Sequence, residues 1–373
     1  MNNKKLAFVA NTAWSMFNFR HGLLSRLIND GYQLTIIAPY DEFSDKLRAM
    51  GCAVFDLPME AKGTNPLKDL KLIHTLYQIY QQISSDFIIH YTIKPNIYGS
   101  LAAKLAGIPS LAITTGLGYT FVNDNLVAKV ARCLYKLAFR FPKEVWFLNE
   151  DDRQVFLHHQ LVSQDKAVLL YGEGVDLAHF APHASLIVDD GKVRFLLIAR
   201  MLWDKGVGEY VEAARIVRQQ YPQAVFQLLG ACGVANPSVI QREQIVQWEQ
   251  EGLVEYLGTT PDVRPIIANA DCVVLPSYRE GIPRTMIESA SMAKPLIVTD
   301  VPGCREVVLH GQTGFLCPVK NATALAVCCK QLIVMTPEAR AEMGTTGRAF
   351  IADKFDEKLV IEQYLKTLGK YGL

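Results

Sequence analysis

The chain has 373 residues, half of them apolar and a fifth charged, with 38 Lys plus Arg against 37 Asp plus Glu and a formal charge of +1. That composition excludes a disordered chain, and the balanced charge gives no global basic footprint for nucleic acid. The eight cysteines contain no Cys-x-x-Cys pair and most lie in apolar runs, so they read as reduced packing residues and not as a zinc site.

In chain order, an apolar stretch from Leu6 to Ala10 is too short for a secretory signal core, and no window nears the roughly 18 apolar residues of a membrane span. The protein is therefore expected in the cytoplasm. Short β-branched runs predict strands at Leu6–Ala10, Gln33–Ala38, Ala53–Leu57, Phe87–Tyr91, Ser110–Thr114 and Glu144–Leu148. Pro66–Ser84 and Asn96–Ala106 carry apolar residues three and four apart and predict helices covering that sheet. The second half repeats the pattern, with strands at Arg194–Ala199, Ala224–Leu229, Val254–Leu257, Cys272–Leu275, Leu296–Thr299 and Thr313–Pro318. From Pro337 to Leu368 the pattern is almost continuously helical. The alternation is that of βαβ units, so two doubly wound α/β domains are predicted: residues 1–185, residues 186–354, and a helix over 355–373 that returns to brace the first domain. Ligands of such sheets bind at the carboxyl ends of the strands.

Two segments have the residue types for a nucleotide-linked sugar. In Pro276-Ser-Tyr-Arg-Glu280-Gly-Ile-Pro-Arg-Thr-Met-Ile-Glu288, a buried strand runs through a Gly and Pro turn into a helix start, where backbone N–H groups face outward for an anion. Glu280 and Glu288 point to one pocket from different heights, and two carboxylates suit the hydroxyls of a sugar. From spacing alone, one carboxylate favoured by the helix dipole and one facing solvent explains the pair equally well. In Leu197-Ile-Ala-Arg200-Met-Leu-Trp-Asp-Lys205-Gly206, two cations follow a strand end and are placed to hold a diphosphate. A surface Arg beside an Asp204–Lys205 pair is the other reading. No Gly-x-Gly-x-x-Gly follows either domain's first strand, which argues against a nicotinamide enzyme.

These marks, with Gly303 and Gly311-Gln-Thr-Gly314, resemble the retaining GT-B glycosyltransferases of family 4. Phe17-Asn-Phe19-Arg20, Lys94-Pro-Asn96-Ile-Tyr-Gly99, Leu101-Ala-Ala-Lys104 and Gly116-Leu-Gly118 are similar to a narrower group, which adds N-acetylgalactosamine to undecaprenyl-diphospho-diacetylbacillosamine. The resemblance implies a GT-B fold, two Rossmann-like domains facing across a cleft, and a UDP-sugar as donor. It implies Arg200 and Lys205 on the donor diphosphate, Glu288 on the ribose, Glu280 on the transferred sugar, and Gly281, Ile282, Pro283 and Met286 lining the same site. The first domain is expected to take the acceptor, an undecaprenyl-diphosphate-linked sugar, through Asn11, Phe17, Arg20, Lys94, Asn96, Gly116 and Gly118. His90, at the end of the fourth strand, is a candidate acid or base, or a packed structural histidine. The sequence has no Asp-x-Asp, the usual carboxylate pair for a divalent ion on a nucleotide-sugar, so transfer without a metal or other cofactor is expected.

From Asn125 to Lys143 there are five cations and no acid: Lys129, Arg132, Lys136, Arg140 and Lys143. A basic amphipathic helix can lie on an anionic membrane. A solvated face of a domain helix is the commoner origin of such a run. With Phe17, Phe19, Phe139 and Phe141 read as exposed, peripheral attachment to the inner face of a bacterial plasma membrane is expected. The product would feed O-antigen, capsule or glycoprotein assembly. The alternatives are the same transfer to a soluble or diacylglycerol acceptor, a UDP-sugar 2-epimerase, or a nucleotide-binding module without activity.

Overall fold

A computed structural model describes residues 4–59, 65–117, 126–183, 190–234 and 236–373, without the side chains of 126 and 127. The chain divides into two compact units, Met1–Glu173 with Glu357–Leu373, and Gly174–Asp356. Each is built on a wholly parallel sheet.

The first unit has seven strands: β1 Lys5–Val9, β2 Gln33–Ala38, β3 Ala53–Asp56, β4 Phe87–Tyr91, β5 Ser110–Thr114, β6 Glu144–Phe147 and β7 Ala167–Leu169. Their order is β3-β2-β1-β4-β5-β6-β7. The central strands β4 and β5 are buried at every position because both faces are covered. The helices are α1 Ala13–Asn29, α2 Ser44–Ala49, α3 Pro66–Ile83, α4 Ser100–Ala106 after a π-turn at Pro95–Gly99, α5 Leu126–Ala138 and α6 Glu150–His158. Local chemistry sets their ends. Asn65 caps α3 by accepting from the Leu67 N–H at 3.0 Å, with Pro66 in the first turn, and Ser84 closes it in the left-handed region. Leu76 and Tyr80 of α3, Tyr135 of α5, Phe139 just beyond it and Phe156 of α6 fill one core over the sheet. The strand β7 is absent from the sequence reading because three residues are too few to show a period.

The second unit has six strands: β8 Val193–Ile198, β9 Ala224–Leu229, β10 Glu255–Tyr256, β11 Cys272–Leu275, β12 Leu296–Thr299 and β13 Gly314–Cys317, in the order β10-β9-β8-β11-β12-β13. Its helices are α7 Val207–Arg218, α8 Arg242–Gln250, α9 Arg264–Asn269, α10 Arg284–Ser291, α11 Ala322–Val334 and α12 Pro337–Phe355. The period-2 geometry of β8 sends Phe195 and Leu197 into one core and Leu196 and Ile198 into the other.

The boundary predicted at residue 185 is corrected to Glu173. Val175 donates to the Phe355 carbonyl at 2.9 Å, and Val175 and Phe180 are buried in the second unit's core, so the aperiodic segment after Gly174 already belongs there. The helical run after Pro337 is also two helices. Asp356 leaves helical geometry (φ −58, ψ 131), and the C-terminal helix Glu357–Lys370 packs in the first unit, where the Tyr364 and Tyr91 hydroxyls lie 2.7 Å apart.

Candidate active site

In the second unit, β8 and β11 are sheet neighbours whose onward connections run in opposite directions, and that reversal opens a crevice at their carboxyl ends. The two predicted segments follow these strands. Arg200 is exposed directly after β8. Gly206, at φ +72, starts α7, and a Cβ there would lie 2.0 Å from the Pro276 carbonyl oxygen. No side chain fits between the two loops. Tyr278 N–H donates to the Asp204 carbonyl at 2.9 Å and locks them together.

This approach brings Lys205 Nζ onto the Glu280 carboxylate, an ion pair with side chains only 22% and 14% exposed. The Glu280 loop is held from behind: its N–H donates to the Pro302 carbonyl at 3.1 Å, and a Cβ on Gly303 (φ +84) would lie 2.3 Å from the Glu280 carbonyl oxygen. Gly281 and Pro283 are buried and Ile282 half-buried. The helix α10 then begins at Pro283 with no side-chain cap, so its start faces the crevice with only backbone polarity.

Glu288 is 8% exposed, and Arg284 Nε donates to its Oε1 at 2.8 Å. Burial raises the Glu288 pKa against the lowering pull of Arg284. Arg284, not singled out in the sequence, also donates to the Gly174 carbonyl at 3.2 Å. Its i,i+4 spacing to Glu288 was the available signal. Met286 is fully buried in the core and its N–H donates to the Pro283 carbonyl at 3.0 Å, so its side chain packs α10 and its amide is already bonded. Chemically, Arg200, Lys205 and the uncapped helix start suit an anion, and Glu280 and Glu288 suit hydroxyls. An anion drawing on Lys205 must compete with Glu280 for it.

In the first unit the corresponding reversal lies between β1 and β4. Asn11 follows β1, half-buried, and Thr12 Oγ1 caps α1 by accepting from Ser15 N–H at 3.2 Å. Phe17 is half-buried against the rings of His21 and Phe43. Lys94 Nζ is 3.0 Å from Asp69 Oδ1, and Tyr98 donates to the other oxygen at 2.7 Å. Asn96 is fully buried and donates to the Ile113 carbonyl at 2.8 Å, which makes it a brace of the β5 end and corrects its assignment to substrate contact. Gly116 has φ +137 at the end of that strand. Gly118 lies outside the described residues. Arg20 is 6% exposed and paired with Glu173, so it too is removed from direct substrate contact.

His90 is corrected from acid or base to structural residue. It is fully buried, its Nε2 lies 3.0 Å from the Tyr80 hydroxyl, and a Cβ on Gly99 would come within 2.5 Å of its ring. Burial pushes its pKa down to about 3, against a raising pull from the Leu111 backbone. The ring is neutral and walled in.

The basic helix α5 shows Lys129 and Lys136 to solvent, with Arg140 and Lys143 just beyond it, and among them Val130 and Leu137 at 52% and 44% exposure. Asn125 is outside the described residues. Phe139 is corrected from exposed to core: it is stacked on Phe156 and 1% exposed, while Phe141 is half-buried. Among the described residues, no helix is long and apolar enough to cross a membrane, and no three His, Cys, Asp or Glu side chains are grouped to hold a metal ion.

Comparison with known proteins gives these two crevices a context. Residues 5–149 match the family described as Glycosyl transferase 4-like, and residues 192–334 match Glycosyl transferases group 1. The chain is 30% identical to the N,N'-diacetylbacillosaminyl-diphospho-undecaprenol alpha-1,3-N-acetylgalactosaminyltransferase of Campylobacter jejuni, over 98% of both chains. It is 25% identical to the UDP-Gal:alpha-D-GlcNAc-diphosphoundecaprenol alpha-1,3-galactosyltransferase of Escherichia coli, over 74% of this chain and 72% of that one. Among solved structures, Anabaena Alr3699/HepE in complex with UDP and glucose superposes with a TM-score of 0.81 at 20% identity, covering 98% of this chain and all of that one. With matches across both units, the chain belongs to the GT-B glycosyltransferases of family 4.

Proposed function

We propose that this glycosyltransferase moves a hexose or N-acetylhexosamine, N-acetylgalactosamine first among them, from a UDP-sugar to a sugar carried on undecaprenyl diphosphate, with retention of anomeric configuration. The carrying observation is the β8–β11 crevice, where Lys205 pairs with Glu280 beside an uncapped helix start and Arg200 stands exposed just after β8. Breaking the bond between a sugar and a nucleoside diphosphate develops an oxocarbenium-like sugar beside an anionic leaving group. Fixed cations and backbone dipoles aimed at the phosphate stabilise that charge, each by about 2.7–4 kcal/mol by analogy with oxyanion-hole donors. In this reading Arg200 and Lys205 do so without a divalent ion, Glu288 takes the ribose, and Glu280, released from Lys205, takes the sugar hydroxyls. Both relatives named above carry diphospho-undecaprenol acceptors in their names, which supports the acceptor class.

Peripheral attachment to the inner face of a bacterial plasma membrane is part of the same proposal. Its support is the exposed face of α5, where apolar Val130 and Leu137 sit among cations. The start of α3 has the same character, with Leu67 and Leu70 at 77% and 64% exposure beside Lys68 and Lys71.

The test is UDP release from a panel of UDP-sugars in EDTA, with and without a polyprenyl-diphospho-N-acetylhexosamine. Acceptor-dependent release from one donor is expected. Arg200→Ala should lower that rate about 100- to 1000-fold with folding intact. A folded, fully active Arg200→Ala overturns the donor-site assignment, and release only when a metal is restored overturns metal independence.

A further inference from the structure

Arg20 departs from helical geometry within α1 (φ −129, ψ 15), and no proline accounts for the kink. The kink turns a guanidinium inward. Its Nη2 meets the Glu173 carboxylate, its Nη1 donates to the Ser15 carbonyl at 3.2 Å, and its Cζ lies 3.8 Å from the centre of the Tyr91 ring. Tyr91 in turn shares its hydroxyl with Tyr364 of the C-terminal helix. Burial pulls the Arg20 pKa down, and Glu173 together with the Tyr91 and Tyr364 hydroxyls more than restores it, so the group is a cation. The space left around it, about 10 Å³, is at the lower limit for one water.

A largely buried ion pair that draws its cation from a kinked helix is a costly way to hold a core, since apolar residues of similar volume commonly do as well or better. The position of its partner supplies a reason. Glu173 is the last residue before the chain enters the second unit, and Glu357 is the first after it returns. Two residues beyond Arg20, a Cβ on Gly22 would lie 2.4 Å from the Glu357 carboxylate. One turn of α1 therefore receives both crossings. Through Ser15, the same guanidinium reaches the first turn of α1, which follows the Asn11–Thr12 loop and leads into Phe17.

We propose that Arg20 is a positioning residue that ties the chain's exit at Glu173 to the first turn of α1, so that the loop after β1 and the crossings between units keep one mutual geometry during transfer. This rests on the transferase reading above. It predicts that losing the tie slows turnover even where stability is preserved.

The experiment compares Arg20→Met, Arg20→Lys and the double variant Arg20→Met/Glu173→Met in melting temperature, UDP affinity and the acceptor-dependent transfer rate. Arg20→Met leaves the half-buried Glu173 without its ion-pair partner and should melt lower. The double variant removes both charges and should regain most of the melting temperature. If Arg20 positions, the double variant still turns over at least tenfold slower, with UDP affinity within twofold of the parent. Arg20→Lys, which retains a charge opposite Glu173, should be slowed to a lesser degree. A double variant with parental stability and parental turnover overturns the proposal and leaves Arg20 a stabilising residue. An Arg20→Lys variant at parental turnover overturns it likewise. A parent chain without transfer to any acceptor defeats the transferase reading instead, so the two failures are distinct.

Discussion

His90 shows how a residue's surroundings decide its role. A histidine at the end of a central strand is placed for catalysis by sequence position, yet Tyr80 and Gly99 close over it. The consequence is a pH dependence of folding. Its folded pKa, about 3, lies below the ordinary value near 6.5, so the stability linked to its neutral form is complete above about pH 6.5 and is lost as pH falls towards 3. The slope approaches about 1.4 kcal/mol per pH unit. His90→Gln should therefore shrink the difference in unfolding free energy between pH 7 and pH 4.5 by about 2–3 kcal/mol, measured by denaturant titration at both values. It should also keep transfer within about threefold of the parent at pH 7, provided the variant is folded. A folded variant with transfer abolished returns His90 to the chemistry.

At the scale of elements, most strands were legible because parallel strands buried on both faces are short β-branched runs. What escaped was local. β7 is three residues long, and the helical period continues across Asp356 although the backbone does not. In the site, the Glu280 and Glu288 spacing and the Arg200 to Lys205 spacing were readable, whereas the Lys205–Glu280 pair needs two loops to meet across neighbouring strands. Those loops meet because glycines remove the obstacles. At Gly303 a Cβ would stand 2.3 Å from the Glu280 carbonyl and 2.5 Å from that of Gly281, in a left-handed conformation that already disfavours a side chain. Gly303→Ala should displace the Glu280 loop and weaken UDP-sugar binding at least tenfold in calorimetry. It should cost about 1–3 kcal/mol of stability from backbone strain alone. Unchanged donor affinity in the folded variant means the loop tolerates the shift and does not set the donor site.

For the whole molecule, the sequence showed two α/β units but misplaced their junction by twelve residues, from Glu173 to 185, because an aperiodic segment reads as a linker until Val175 and Phe180 are seen inside a core. The same limit applies to α5, where the sequence shows cations but not which way they face. The fold buries Tyr135, Ala138 and Phe139 and leaves Lys129, Lys136 and Arg140 outside with Val130 and Leu137. That division allows a clean test, since the outer cations can be removed without touching the core. Each cation near an anionic bilayer contributes about 1 kcal/mol, so Lys129→Gln/Lys136→Gln/Arg140→Gln should lower partition onto phosphatidylglycerol vesicles about 100-fold in a flotation assay. Raising salt should weaken the parent in the same direction. Neutral phosphatidylcholine vesicles should not distinguish the two, because only the apolar contribution of Val130 and Leu137 remains there. Transfer to a short, water-soluble acceptor analogue should also be equal, since none of the three side chains belongs to the crevice of either unit. Equal flotation on anionic vesicles would leave α5 a solvated domain helix and remove the membrane from the proposal, without altering the donor chemistry of the second unit.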